Sequence, residues 1–216
     1  PLDIDVPGER SGLIPTRAWK KERFDKSWLK GETLLAAIGQ GYVLTTPLQL
    51  AVMTARAVNG GYAVLPRLTR EAAGADGNSA EPPSFPHTGI SERSRNLLLQ
   101  ALDEAVNHPR GTAFKSRIED PELAFGGKTG TAQVRRITMV EREAGVRKNR
   151  EKPWRKRDHS LFVGYAPVDE PRYAVSVVIE HGGAGSKTAA PIARDILKEL
   201  QRLRAPQRLV TTEREA

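Results

Sequence analysis

Cysteine is absent from this chain of 216 residues, which excludes disulfide bonds, cysteine-based metal sites and thiol chemistry. Long hydrophobic runs are absent too: no stretch approaches the roughly 18 apolar residues that a membrane-spanning helix requires, and no charged-then-apolar leader stands at the start. We therefore expect neither an anchor nor a signal peptide within these residues. Because the chain begins at Pro1, in a turn-like stretch and without Met, we expect it to be a piece of something longer.

The composition that is present excludes wholesale disorder. Hydrophobic side chains make up 38% of the residues and charged side chains 28%, which is typical of a globular domain large enough to bury a core. The chain is therefore expected to form one such domain or a large part of one.

The net charge of +8 raises the question of a polyanionic partner, such as nucleic acid or an acidic membrane surface. Residues 135–157 hold ten Lys and Arg against three Glu, a local excess of seven that leaves the rest of the chain close to neutral. Charge concentrated in this way belongs to a loop or arm, not to the whole fold. Two interpretations of this basic insertion (residues 135–157) remain open: a solvated mobile loop, or a contact site for an anionic partner.

Helical signals occur in three places. Thr46 and Pro47 are typical of a helix start, and Asn59 with two following glycines is typical of a stop, so a helix is predicted from Pro47 to Val58. Apolar residues at helical spacing predict two more helices, over residues 91–106 and 188–203.

The segments outside these helices are expected to be irregular. The first thirty residues, with scattered aromatics, and the proline-bearing residues 71–87 are predicted to be loops. The glycines at positions 39 and 41 are expected to break any helix that precedes Pro47. Beyond Pro206 the chain is expected to fray.

Three β-rich apolar runs predict strands over residues 123–134, 160–166 and 173–179. The last two are separated by only six residues, which favours an antiparallel hairpin. Strands in succession followed by a helix indicate an α+β domain, with an antiparallel sheet covered by helices.

The first predicted strand carries the most chemically informative residues, Lys128, Thr129, Gly130 and Thr131. Lys128 offers a positive charge and Thr129 a hydroxyl donor for an anionic group, while Gly130 leaves room for a ligand backbone to lie alongside. Such an edge can bind a peptide as an added strand. We therefore predict a peptide site with an anionic terminus at residues 128–131.

Six separate stretches resemble, in order, the transpeptidase domain of the class B penicillin-binding proteins, and most of all the penicillin-binding protein 2 type. They are Ile38-Gly39-Gln40-Gly41, Thr45-Thr46-Pro47-Leu48-Gln49, Gly111-Thr112-Ala113, Gly127 to Gln133, Phe162 to Pro167, and Glu180 to Gly185. The resemblance covers nearly the whole chain.

This resemblance implies the C-terminal part of a β-lactamase/transpeptidase-like domain, over residues 1–205, with a flexible tail at 206–216. It implies a serine acyltransferase that cross-links peptidoglycan during cell elongation. Lys128 and Thr129 would hold the terminal carboxylate of a D-Ala-D-Ala stem peptide or of a β-lactam. The main-chain N–H of Thr131 would donate to the oxyanion, and Gly130 would provide clearance.

The same resemblance implies the setting of the parent protein. We expect an enzyme of the bacterial inner membrane, acting at its periplasmic face beside membrane proteins of the elongation machinery. Neither a cofactor nor a metal is expected, and no nucleic-acid partner.

The nucleophile that the family requires is not found in the chain. Ser27-Trp28-Leu29-Lys30 and Ser94-Arg95-Asn96 match the Ser-x-x-Lys and Ser-x-Asn motifs as strings. Lys30, however, runs straight into Gly31, and Ser94 falls inside a predicted helix, so neither context suits the role. We therefore expect the chain to hold one of the three catalytic motifs and to be inactive alone.

Four other interpretations of the sequence can be compared with this one. Asp158-His159-Ser160 names the members of a hydrolase triad, but adjacent residues entering a strand point to opposite faces. The loop from His181 to Thr188 resembles a phosphate cradle but lacks the required glycine before Lys187. A polyanion-binding module on the basic insertion, or a non-catalytic protein of β-lactamase fold, remain as alternatives.

Overall fold

The computed structural model describes residues 1–4, 7–68, 84–135, 137–145 and 148–203. Its helices and strands, in chain order, are α1 (Arg17–Phe24), α2 (Lys30–Ala37), α3 (Pro47–Val58), α4 (Glu92–Asn107), β1 (Gly126–Ala132), α5 (Met139–Glu143), β2 (His159–Ala166), β3 (Tyr173–Ile179) and α6 (Ala189–Leu203). Short 3-10 turns lie between α4 and β1 and within the basic insertion. Among the described residues, no helix has the length and apolar character needed to cross a membrane.

The three strands form one antiparallel sheet in the order β1-β2-β3. Strands β2 and β3 form the predicted hairpin, with Phe162 opposite Val177. Strand β1 pairs with β2 from Gly126 opposite Tyr165 to Ala132 opposite His159. Since β2 lies in the middle, β1 is an edge strand on one side.

Helices cover both faces of this sheet. Since successive side chains of a strand point to opposite faces, residues of β2 pack against helices on either side. Phe162 of β2 packs in a fully buried cluster with Leu197 of α6. Tyr165, three residues further on, packs instead with Val58 of α3 and Leu102 of α4. The α+β architecture expected from the sequence is therefore confirmed.

The three predicted helices are present within one residue of their expected bounds. Helix α3 starts at Pro47 after Thr46, whose hydroxyl accepts a bond from the N–H of Gln49 at 3.1 Å while the Gln49 side chain accepts from Thr46 N–H at 3.0 Å. This reciprocal cap satisfies backbone donors that the first turn leaves without partners. Helix α2 ends at Ala37, before Gly39 with its positive φ of 71°, as the sequence led us to expect.

The prediction of a loop over the first thirty residues was wrong. Helix α1 forms there because the Thr16 hydroxyl caps it, accepting from Trp19 N–H at 3.1 Å. The Lys20 ammonium, nearly fully buried, donates to Glu32 of α2 at 2.6 Å. The N–H of Leu29 and the Lys20 ammonium together lower the pKa of Glu32 below its usual value. Lys20 and Glu32 are twelve residues apart and belong to different helices, so the periodicity within one helix does not reveal their pairing.

Two other predictions fall partly or wholly outside the described residues. The loop over residues 71–87 is described only at its end, where His87 forms an isolated bridge with Tyr62. The expected fraying beyond Pro206 lies outside them entirely.

Candidate active site

Residues 128–131 lie on the accessible edge of the sheet. Lys128 and Thr131 are exposed, and Thr129 and Gly130 are half-buried. The strand starts with buried glycines at positions 126 and 127, because a Cβ at Gly126 would lie 2.6 Å from the Tyr165 ring. Strand β1 can therefore lie against the buried Tyr165 while its later residues reach solvent.

Main-chain groups of β1 point away from the sheet at two positions. The carbonyl of Thr129 accepts a bond from Lys128 Nζ at 2.9 Å, and the carbonyl of Thr131 accepts from Gln40 Nε2 at 3.1 Å. In an antiparallel strand, the N–H and C=O of one residue point to the same side, and this side alternates along the strand. The N–H groups of Thr129 and Thr131 therefore also point outward, toward the unpaired edge.

The side chains beside this edge are polar and close together. Thr112 Oγ1 lies 3.2 Å from Thr129 Oγ1, and Lys128 Nζ lies 3.5 Å from the same Thr129 hydroxyl. The two hydroxyls and the ammonium form a compact set of hydrogen-bond donors. Such a set is suited to a carboxylate, because charge-assisted bonds are stronger than those between neutral groups.

Thr112 and Gln40 lie beside the site, although no role was predicted for either residue from the sequence. Thr112 is placed by Gly111, where any Cβ would collide with the carbonyl of Glu104 at the end of α4. The Ala113 N–H fixes the same turn by donating to Ala105 O at 2.9 Å. Both residues belong to stretches on which the family resemblance rests. Their place in these stretches was the signal in the sequence that could have identified them.

A groove of about 590 Å³ runs beside Lys128. Its walls are the apolar side of α4 and the turn that carries Thr112, together with His108 and Arg110. A second groove, of about 500 Å³, lies over the start of α4 and contains none of residues 128–131. We take the first as the relevant one because it adjoins the polar set on β1.

The residues of the two string matches lie in local structures that do not suit the catalytic motifs. Ser27 lies in the extended connection before α2, while Lys30 is the first residue of that helix, so they are not one helical turn apart on a common face. The N–H of Ser94 is bonded to the capping hydroxyl of Ser91 at 3.2 Å. These contexts agree with their exclusion as catalytic residues.

The apparent triad also separates into unrelated contacts. Asp158 accepts a bond from Asn149 Nδ2 at 2.9 Å, and His159 Nδ1 accepts from the N–H of His181 at 2.9 Å. Ser160 is fully buried and donates to Ala184 O at 3.2 Å. Each residue is engaged elsewhere, as expected for neighbours on a strand.

The glycine-rich loop after β3 packs onto the sheet. A Cβ on Gly185 would lie 2.5 Å from Gly130 O, and the Ala190 N–H at the start of α6 donates to Gly185 O at 2.9 Å. The Thr188 hydroxyl donates to Gly182 O at 2.9 Å. Close packing accounts for the glycines, and these contacts do not form an open phosphate cradle.

The described part of the basic insertion contains ordered contacts. Lys152 is buried and pairs with Asp158 at 3.4 Å. Arg157 donates to Lys152 O at 3.1 Å. Arg155 and Lys156 remain exposed. The described part of the insertion is therefore held by ordered contacts to itself and to Asp158, and its exposed Arg155 and Lys156 leave the interpretation as an anion site open.

The pKa values of Tyr165 and Glu141 are strongly shifted. Burial raises the pKa of Tyr165 to about 12, so its phenol stays neutral behind β1. The Arg135 guanidinium, followed by the Thr138 N–H, lowers the pKa of Glu141 to about 2. Among the described residues, no group of three His, Asp or Glu is arranged to hold a metal ion.

Comparisons with known proteins agree on one family. The penicillin binding protein transpeptidase domain family matches residues 1–198. The chain is 35% identical to the peptidoglycan D,D-transpeptidase MrdA of Haemophilus influenzae, over 96% of this chain and 31% of that protein. It is also 35% identical to the Escherichia coli K12 protein of the same name, over 91% of this chain and 30% of that one.

Solved structures give the same result. PBP2 of Helicobacter pylori, in its complex with MreC, superimposes with a TM-score of 0.75 at 27% identity, over 94% of this chain and 33% of that one. PBP2 of Pseudomonas aeruginosa, in complex with WCK 5153, gives 0.72 at 35% identity, over 91% and 39%. The chain thus spans about a third of the length of the curated relatives it matches.

Proposed function

Since this chain belongs to the penicillin-binding protein transpeptidase domain family and is of the PBP2/MrdA type, we propose that it forms the substrate-binding wall of a peptidoglycan D,D-transpeptidase. The observation that carries this proposal is the outward-facing edge of β1. It combines the exposed Lys128 ammonium, the Thr129 hydroxyl and two outward main-chain amides on one strand, with the Thr112 hydroxyl beside them. A peptide with a terminal carboxylate fits such an edge as an added strand.

The proposed substrate is a stem peptide that ends in D-Ala-D-Ala. Lys128 Nζ and the Thr129 hydroxyl bind its terminal carboxylate, and Gly130 lets the peptide backbone approach. A Cβ at Gly130 would lie 3.2 Å from the Leu161 Cβ, a tight contact that already disfavours a larger residue. We assign this glycine the further role of clearance for the ligand backbone.

The proposed reaction is acyl transfer through a serine ester. A serine hydroxyl attacks the carbonyl carbon between the two D-alanines, loses its proton and expels the terminal D-Ala as the amine. The N–H of Thr131 donates to the oxyanion of the tetrahedral intermediate. An amine of a second stem peptide then attacks the ester, which forms the cross-link and frees the serine. A β-lactam would acylate the same serine.

The serine itself is proposed to come from sequence outside these 216 residues. Ser27 and Ser94 lie in contexts that do not suit the role. The remaining two catalytic motifs would have to face β1 from beyond the groove that adjoins Lys128. On this proposal, residues 1–216 alone do not react with penicillin.

The partners and location of the whole protein are proposed by analogy. A structurally similar PBP2 is found in complex with MreC, which supports a membrane-associated partner of the elongation machinery for this protein. The corresponding location is the periplasmic face of the bacterial inner membrane.

The test is labelling of the full-length protein that contains this chain by a fluorescent penicillin. Lys128→Ala should lower the second-order acylation rate constant about 10- to 100-fold, because it removes a charged hydrogen bond to the carboxylate. Lys26→Ala, at an exposed lysine between α1 and α2, is the matched control and should react normally. Equal rates for the Lys128 variant and wild type would refute the role of β1. A wild-type protein that is never labelled would favour a non-catalytic member of the fold.

A further inference from the structure

The loop behind β1, residues 181–185, supports the edge strand directly. A Cβ on Gly185 would lie 2.5 Å from Gly130 O and 3.0 Å from Gly130 N. Backbone of this glycine loop therefore lies against backbone of β1, with no side chain between them. A displacement of the loop would be transmitted to Gly130 and to its neighbour Thr131.

One histidine of β2 anchors the start of this loop. His159, which pairs with Ala132 of β1, accepts a bond at Nδ1 from the N–H of His181 at 2.9 Å, and the two rings lie 4.8 Å apart. His181 has a φ of 57°. A side-chain-bearing residue adopts this left-handed conformation only where the surroundings hold it there.

The end of the basic insertion holds the same loop from the other side. The His181 Nδ1–H donates to Arg157 O at 2.9 Å, and the Gly183 N–H donates to Asp158 O at 2.9 Å. The Trp154 ring packs edge-on against His181 at 4.5 Å. The three contacts place the glycine loop between the insertion and the edge strand.

We propose that His159 is a positioning residue for acyl transfer, acting through the glycine loop on Gly130 and Thr131. This inference rests on the proposed function. Its essential group is the unprotonated Nδ1 of His159, which accepts the His181 N–H. When that acceptor is present, the loop keeps β1 in the position at which the Thr131 N–H meets the developing oxyanion. Small misplacements of such donors cost large factors in rate.

Two substitutions at one position separate this role from simple packing. His159→Leu keeps apolar bulk but removes the acceptor, whereas His159→Asn offers Oδ1 near the position of Nδ1. In the full-length protein, His159→Leu should lower the maximal rate of penicillin acylation about tenfold. The dissociation constant of the non-covalent complex should stay the same, because the Lys128 anchor is untouched. His159→Asn should recover the rate to within about threefold of wild type.

Hydrogen exchange supplies a readout that does not need acylation. The His159→Leu substitution should speed amide exchange in residues 126–132 and 181–185, and His159→Asn should restore protection. The inference would be overturned if folded His159→Leu acylated at the wild-type rate. It would also be overturned if His159→Asn acylated as slowly as His159→Leu. If wild type is never labelled, the proposed function fails by itself. Unchanged exchange protection would then reject the positioning role separately.

Discussion

Strand β1 and the basic insertion both place basic side chains next to the same sheet, yet they differ in what surrounds the charge. On β1, Lys128 lies beside outward-facing main-chain groups and donates to Thr129 of its own strand. In the basic insertion, Lys152 and Arg157 are committed to a carboxylate and to backbone carbonyls. The first arrangement leaves polar groups available to a ligand, and the second uses them to hold the insertion together.

The difference shows that the density of positive charge is a poor guide to a binding site here. Residues 135–157 carry most of the net charge of the chain, whereas β1 contributes a single lysine. What distinguishes β1 is a strand edge at which, within the described part of the chain, the amides of Thr129 and Thr131 have no partner strand. Main-chain groups that face outward must be satisfied by water or by a ligand.

The largest expected effect on acylation, and the strongest test of the difference between β1 and the basic insertion, is at Thr131. Thr131→Pro removes the N–H that we propose as the oxyanion donor, and should lower penicillin acylation by the full-length protein about 100- to 1000-fold. Since this N–H points away from β2, and since proline is tolerated on edge strands, the protein should remain folded. Stopped-flow acylation and thermal unfolding measure the two quantities.

Thr131→Val is the matched control for that prediction, because it keeps the N–H and the branched shape while losing only the hydroxyl. It should acylate much faster than the proline variant. Near-normal acylation by Thr131→Pro would show that the outward amide is not used, and the distinction between the two regions would lose its functional meaning.

A smaller effect is expected in the insertion, and on stability instead of rate. Lys152→Ala leaves the carboxylate of Asp158, only 13% exposed, without its cation, and should lower the free energy of unfolding by about 2 kcal/mol. Lys156→Ala, at an exposed lysine in the same insertion, should change it by less than about 0.5 kcal/mol. Urea denaturation measures both changes in the free energy of unfolding. Equal changes for the two variants would show that the buried Lys152–Asp158 pair does not stabilise the fold.

The sequence predicted the parts of the fold that local signals encode. Helix α3 was predictable because Thr46, Pro47 and Asn59 each mark its ends, and the β2–β3 hairpin because its connection is short. Helix α1 was missed although Thr16 caps it locally, because the contact that ties it to the next helix is the pairing of Lys20 with Glu32. That contact depends on tertiary packing and leaves no periodic trace.

The candidate site divides in the same way. Lys128, Thr129, Gly130 and Thr131 were predicted from one contiguous run, and the structure places them together on an accessible edge. Thr112 contacts Thr129 from 17 residues away in the sequence, and Gln40 contacts Thr131 from 91 residues away. Only the folded chain shows such contacts, so the direction of the Thr131 carbonyl, and with it that of its N–H, could not be inferred from spacing.

The smallest expected effect is a pH dependence within the insertion. Arg135 Nη1 lies 2.8 Å from both carboxylate oxygens of Glu141, and the pKa of Glu141 is lowered from 4.5 to about 2. A carboxyl with a lowered pKa in the folded state stabilises that state above its unfolded pKa, and the stabilisation is lost as pH falls toward the folded value. The free energy of unfolding should therefore decline between about pH 4.5 and 2, and less steeply in Glu141→Gln. Because both side chains are partly exposed, added salt should weaken the difference. Identical pH profiles for the two proteins would show that this ion pair does not stabilise the insertion.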